Sequence, residues 1–245
     1  MDDRLTVLHE IADVVAVAFG TVRDFGPSGG REGQYSLDIV ADEAALAVIR
    51  REGLGVLSEE SGWQQGAGSD AIIVDPIDGS TNASRGVPWF ATSLCWVNGH
   101  TPEVALVANQ ATGERWSAVR GEGAWRNGTQ LHNSGALDLS NALIGLNAIP
   151  TRPFGARQTR MFGAIALDLC LVAGGTLDGY VDFDHEAHGP WDYMAGMLMV
   201  QEAGGAVADL HGRDLVVIEH AARRTPVAAA TPELLQVLLA ARAAR

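Results

Sequence analysis

The sequence predicts an α+β fold, on three observations. Apolar residues recur at helical spacing near both ends of the chain. Between residues 92 and 119, three short apolar runs separated by Gly and Asn read as successive strands. Beyond about residue 135 the rhythm changes to helices alternating with strands. That shift suggests two subdomains, 1–135 and 136–245, with neither a linker nor an internal repeat between them. Of the 245 residues, 47% are hydrophobic and 19% charged, so the chain can bury a sizeable core and general disorder is excluded.

The elements follow in order. Leu5, Leu8, Ile11, Ala12, Val15 and Phe19 mark an amphipathic helix over 2–20. Residues 26–30 (Gly-Pro-Ser-Gly-Gly) form a loop, and a second helix covers 41–51. Ala71–Val74 is a buried strand, ended at Asp75-Pro76 because proline cannot donate to a ladder. Strands are expected at 92–98, 103–109, 115–119 and 142–147, with a turn at 121–123. A buried helix over 162–173 closes at Gly174-Gly175. A strand at 177–183 and a helix at 191–203, closed by Gly204-Gly205, come next. After strands near 206–210 and 226–230, a last helix opens with Thr231 as N-cap and Pro232 at its first position.

Charge and composition narrow the function. The 17 Lys and Arg against 30 Asp and Glu leave a formal charge of −13, which repels nucleic-acid backbones and anionic membranes. The N-terminal Met1-Asp2-Asp3-Arg4 is acidic where a secretory signal would be basic, and no apolar run approaches the ~20 residues of a membrane span. A soluble, cytoplasmic protein is expected. Cys95 and Cys170 both sit in apolar runs and read as reduced core residues.

The chemistry concentrates in Asp75-Pro76-Ile77-Asp78-Gly79-Ser80-Thr81-Asn82. Two carboxylates three residues apart leave the end of a buried strand, with no Lys or Arg nearby in sequence. Converging carboxylates repel unless a divalent cation joins them, and an all-oxygen set suits Mg²⁺. If Gly79-Ser80-Thr81 open a helix, their N–H groups form an anion site, so metal and phosphate would lie side by side. An Asx turn with solvated Asp side chains is the plainer alternative. Glu59-Glu60 would ordinarily be a solvated acidic pair, and Asp192, near the start of a helix, an N-terminal cap.

Taken together, the three motifs resemble those of the inositol monophosphatase superfamily of Mg²⁺-dependent, lithium-sensitive sugar phosphatases. They are the Glu59-Glu60 loop, Asp75-Pro-Ile-Asp-Gly-Ser-Thr-Asn82, and Trp191-Asp-Tyr-Met-Ala-Gly196, in the family's order. The resemblance implies a five-layer αβαβα sandwich, a homodimer and two to three Mg²⁺ ions per site. It implies that Glu59, Asp75 and the Ile77 carbonyl hold one metal, that Asp75, Asp78 and Asp192 hold a second, and that a weaker third sits near Glu59. Ser80 would orient the attacking water with help from Asp42, while the N–H groups of Gly79 and Ser80 hold the phosphate. Gly163-Ala164 matches the segment near phosphate and polyol. The family's polyol-binding acid falls somewhere in Asp184–His188, and His185 and Glu186 are the candidates for substrate contact. The chain departs from the pattern at Ser58, for a Gly, and at Ala164, for a Thr; the usual Thr upstream of Asp42 is missing.

The implied activity is hydrolysis of a small polyol phosphate, foremost myo-inositol monophosphate, by metal-activated water without a phosphoenzyme. Fructose bisphosphate, histidinol phosphate and nucleotide 3′-phosphates stay open as substrates, as does a non-catalytic partner role. The sequence otherwise offers little chemistry. His185 and His188 read as loop or substrate-rim residues, Trp89, Trp96, Trp116 and Trp125 as core packing, and Arg223-Arg224 as a solvated pair.

Overall fold

The computed structural model describes residues 2–23, 26, 28–29 and 34–243. Pro27 and Gly30 of the expected loop lie outside the described residues. Helix α1 (Asp3–Thr21) is capped by Asp2, whose carboxylate accepts from the Arg4 N–H at 2.9 Å. It buries Leu8, Ile11, Ala12 and Val15, the 3–4 stripe that its sequence carries. Helix α2 (Ser36–Arg51) begins five residues earlier than expected, because Asp38 accepts from the Tyr35 N–H at 2.8 Å and so caps an extra first turn.

The first sheet has eight strands: β1 (Gly55–Ser58), β2 (Gly62–Gln64), β3 (Asp70–Asp78), β4 (Ala91–Asn98), β5 (Thr101–Asn109), β6 (Arg115–Val119), β7 (Gly123–Arg126) and β8 (Thr129–Gln130). Their order is β2-β1-β3-β4-β5-β6-β7-β8, antiparallel except for the parallel pair β1–β3. The second sheet contains β9 (Leu143–Leu146), β10 (Gln158–Arg160), β11 (Gly179–Val181), β12 (Ala206–Asp209) and β13 (Pro226–Ala229), in the order β10-β9-β11-β13-β12. Strand β3 does not stop at Pro76 as expected. The ladder breaks after Asp75↔Ser93 and resumes at Asp78↔Ala91, so the proline sits in a bulge. Its carbonyl is satisfied by the Thr92 hydroxyl at 2.9 Å.

Five layers result. Helices α1 and α2 cover one face of the first sheet. Helices α4 (Ile165–Ala173) and α5 (Pro190–Glu202) lie between the two sheets, and α6 (Pro232–Ala243) covers the far face of the second. The period of two along the strands sorts side chains between the layers. On β3, Ile72 and Val74 join the core under α1 and α2, while Ala71 and Ile73 join the central core with α4 and α5. On β11 and β13, Tyr180 and Ala228 face that central core, and Val181, Val227 and Ala229 face α6. Helix α4 is buried on every side, as befits an inner layer, and α5 nearly so. Cys95 and Cys170 are free and buried, as expected. Among the described residues, no helix is long and apolar enough to cross a membrane.

A candidate active site at the strand ends of the first sheet

Parallel pairing of β1 with β3 aligns Ser58 with Val74, and the Glu59 N–H continues the ladder to the Val74 carbonyl at 3.1 Å. Glu59 and Asp75, the residues that follow the last pair, therefore leave neighbouring strands side by side. Past the bulge, Asp78 points its Oδ2 at the Ala166 N–H, 2.7 Å away in the first turn of α4. Asp192, the third residue of α5, accepts from the Gly189 N–H at 2.7 Å through Oδ2. It is thus a cap, as such an Asp ordinarily is, and also a cavity side chain. Its helix is pinned to the first sheet by Ser93, whose hydroxyl donates to the Trp191 carbonyl at 2.9 Å.

These residues line a cavity of about 290 Å³ together with Ile77, Gly79, Ser80, Thr81, Gly163, Ala187 and His188. Oxygen atoms of Glu59, Asp75 and Asp192 lie within 4.8 Å of one another. The Ile77 side chain belongs to the core under α1 and α2, so it is the main chain of Ile77 that meets the cavity. Burial, followed by the charges of Glu59, Asp78 and Asp192, pushes Asp75 well above the usual carboxylate range. Burial and Asp192 do the same to Asp78, against the opposing hydrogen bond from Ala166. The donors are all oxygens, and no Lys or Arg lies among the described residues lining the cavity. That set fits a hard divalent cation, which would relieve the repulsion.

Beside the carboxylates, Gly79 holds φ +88 and opens the five-residue helix α3 (Ser80–Ser84). A Cβ there would stand 3.0 Å from the Trp89 carbonyl and 3.1 Å from the Ala164 Cβ, so both conformation and space demand glycine. Asn82 Nδ2 donates to the carbonyls of Trp89 (2.8 Å) and Phe162 (2.7 Å), which fastens this turn to the Gly163-Ala164 segment. Gly163 reaches the cavity, whereas Ala164 is buried behind Gly79.

At three residues the geometry differs from what the resemblance implies. Asp42 makes no hydrogen bond to Ser80. Its Oδ1 accepts from Ser58 at 2.5 Å, so the serine that departs from the family pattern supplies its partner. Asp38, one turn earlier in α2, adds its charge to those that raise Asp75. Glu186, turned aside at φ +51, pairs with Arg213 at 2.5 Å, and that partner holds its carboxyl below the usual range. The His185 ring packs against His211 with centroids 5.9 Å apart. Neither residue lines the cavity; Ala187 and His188 do.

Asp168 and Asp182 are among the buried acids that escaped the sequence reading. Asp168 lies in the otherwise apolar helix α4 and accepts from the Trp89 indole N–H at 2.9 Å; burial pushes it up to about 7. A lone acid in such a run was the available signal. Asp182 follows β11, fully buried. Trp116 and Trp96 are core residues as expected, while Trp89 and Trp125 are only partly buried. Arg223 stacks on Trp191 with its guanidinium carbon 5.1 Å from the ring centroid.

Five layers with a carboxylate cluster at the strand ends of the first sheet are the arrangement that the sequence resemblance implies. Residues 35–245 match the model of the inositol monophosphatase family, and the chain belongs to that family. It is 35% identical over 228 residues to the fructose-1,6-bisphosphatase/inositol-1-monophosphatase of Archaeoglobus fulgidus, with 88% of each chain covered. It is 34% identical over 206 residues to Nus factor SuhB of Escherichia coli K12, covering 75% of this chain and 74% of that protein. Among solved structures, a Pyrococcus horikoshii protein described as having similarities to inositol-1 monophosphatase superposes with a TM-score of 0.83. The identity is 25%, and 97% of this chain and 96% of the other are covered. The extragenic suppressor protein SuhB of Bartonella henselae gives the same score and identity over 98% of each chain.

Proposed function

We propose that the protein is a Mg²⁺-dependent phosphomonoesterase acting on a small phosphorylated polyol, foremost myo-inositol monophosphate. The observation that carries this reading is the convergence of Glu59, Asp75 and Asp192 oxygens within 4.8 Å, next to the glycine turn at Gly79. Glu59, Asp75, the Ile77 carbonyl, Asp78 and Asp192 would hold the cations. Bound there, Mg²⁺ supplies Lewis acidity to the phosphoryl group and acidifies water at neutral pH.

The chain's own groups do the rest. The N–H groups of Gly79 and Ser80, at the start of α3, bind the phosphate oxygens. The Ser80 hydroxyl orients the water for in-line attack. Asp78, fixed by Ala166, keeps the leaving-group side of the cavity in place. Ala187 and His188 form the rim that meets the polyol, in place of the Glu186 and His185 suggested by sequence. The names of the archaeal relatives favour inositol phosphate and fructose 1,6-bisphosphate as the first substrates to test. We further expect lithium inhibition, a homodimer and a cytoplasmic location.

The test is phosphate release from myo-inositol 1-phosphate, fructose 1,6-bisphosphate, histidinol phosphate and a nucleotide 3′-phosphate, each with Mg²⁺ and with excess EDTA. Turnover should require Mg²⁺. Undiminished turnover in EDTA would overturn the mechanism, and no turnover of any phosphomonoester would favour a non-catalytic partner role.

A further inference from the structure

His188 stands four residues before Asp192 and is largely buried, with 12% of its side chain exposed. Its ring lies between two carboxylates. Nδ1 is 3.5 Å from Asp192 Oδ2, and Nε2 is 3.5 Å from Asp182 Oδ2. The Tyr180 hydroxyl is 3.2 Å from Nε2. Asp182 is itself immobilised: its Oδ1 accepts from Asn147 Nδ2 at 3.1 Å and from the Asp184 N–H at 2.8 Å. Its Oδ2 is buried and has no hydrogen-bond partner, so the His188 ring edge is what faces it. Tyr180 lies in β11 of the second sheet, and Asp182 is the residue that follows it. A rigid segment of the second sheet therefore fixes the imidazole, and the imidazole faces a carboxylate of the cavity.

We propose that His188 is a positioning residue for Asp192 and so sets the divalent-cation affinity of the site. The proposal rests on the reading of that site given above. The ring turns each nitrogen to a carboxylate oxygen, so Asp182 Oδ2 faces Nε2 on one side and Nδ1 is directed at Asp192 Oδ2 on the other. That oxygen already takes the Gly189 N–H at 2.7 Å. The Gly189 N–H and the Nδ1 edge together hold the carboxylate plane and leave Oδ1, which accepts no hydrogen bond among the described residues, for the cation. Ordering a ligand before binding lowers the entropy lost on binding. Partners that orient a metal ligand in this way typically contribute about 10–100-fold in affinity. Asp75 and Asp78 are held by main-chain donors, the Ile77 N–H and the Ala166 N–H. Unlike those two, Asp192 has a side chain from a separate buried network beside it.

The experiment is calorimetric titration of Mn²⁺ into metal-free protein, for the wild type and for His188→Leu, His188→Asn, Tyr180→Phe and Asp182→Asn. Leucine preserves bulk without a donor, and asparagine restores an N–H close to Nδ1. His188→Leu should bind Mn²⁺ at least about tenfold more weakly. His188→Asn should recover to within about threefold, while Tyr180→Phe and Asp182→Asn fall between. In turnover assays the Mg²⁺ concentration for half-maximal rate should rise in parallel, and in Tyr180→Phe and Asp182→Asn, which do not line the cavity, kcat at saturating Mg²⁺ and KM for substrate should be nearly unchanged. A side chain that only packs would lower thermal stability and leave the Mn²⁺ titration as it was. Wild-type affinity in His188→Leu would overturn the proposal, as would an His188→Asn no better than leucine. Should His188→Leu not fold, unaltered Mn²⁺ affinity in both Tyr180→Phe and Asp182→Asn would overturn it instead. Absence of Mn²⁺ binding in the wild type would overturn the site reading itself, and the proposal with it.

Discussion

Replacing Asp168 by Asn should stabilise the protein in neutral and alkaline solution and leave acid stability nearly unchanged. Asp168 is 1% exposed, and its one side-chain hydrogen bond comes from the Trp89 indole. Burial is the main reason that its carboxyl is pushed from 3.8 up to about 7, against the pull of that bond and of the His188 charge. A folded-state pKa above the unfolded value means that ionisation opposes folding. The contribution of the protonated acid is complete below about pH 4 and lost as pH rises toward about 7. At about 1.4 kcal/mol per pH unit, the gap between 3.8 and about 7 amounts to about 4 kcal/mol at pH 8 and above. Asparagine keeps an oxygen for Trp89 and never ionises, but its NH₂ group needs an acceptor, so about 2–4 kcal/mol of that should be recovered. Urea denaturation of both proteins in EDTA at pH 4.5, 7 and 9 measures this. The midpoint of Asp168→Asn should exceed that of the wild type at pH 9 and nearly coincide with it at pH 4.5. An equal difference at both pH values would refute the assignment of a buried, ionising Asp168.

Three other outcomes follow from the site. Asp75→Asn should lower kcat by at least about a thousandfold at saturating Mg²⁺, the scale set by losing a charge-stabilising group. The same change should raise the melting temperature of the metal-free protein above pH 5, because the folded-state carboxyl titrates well above 3.8 and its charge opposes folding. Gly79→Ala should abolish phosphate release and destabilise the fold, since its Cβ would meet the Trp89 carbonyl at 3.0 Å in a left-handed turn; kinetics and thermal melting together test this. Glu186→Ala should leave kcat and KM within about twofold on polyol and aryl phosphates alike, because its carboxylate is held in a surface ion pair with Arg213 and does not line the cavity.

The strand-rich middle of the chain was legible because Ala71–Val74 and the runs after it carry enough apolar residues to demand burial. The same holds for α1, α5 and α6, where caps or a 3–4 stripe mark the limits. Strands β2, β8 and β10 were not legible: they are two or three residues long, lie toward the sheet edges, and hold their place through a neighbour rather than through their own pattern. The continuation of β3 past Pro76 was hidden for a related reason, since a bulge is stabilised by the partner strand, here through Thr92.

For the site, the local sequence pointed to Asp75 and Asp78, and the family resemblance added Glu59 and Asp192. Asp75 and Asp78 are tied by a three-residue spacing around Pro76, and their chemistry is local. What brings Glu59 and Asp192 to them is tertiary: the parallel register Ser58↔Val74 in one case, and the packing of α5 between the sheets in the other. Side-chain direction in the loop before Asp192 was likewise beyond local pattern. Glu186 is drawn off by Arg213, 27 residues away, and His188 is drawn in by Asp182 and Tyr180. A loop residue without its own periodicity points wherever its strongest partner lies, and that partner is chosen by the fold.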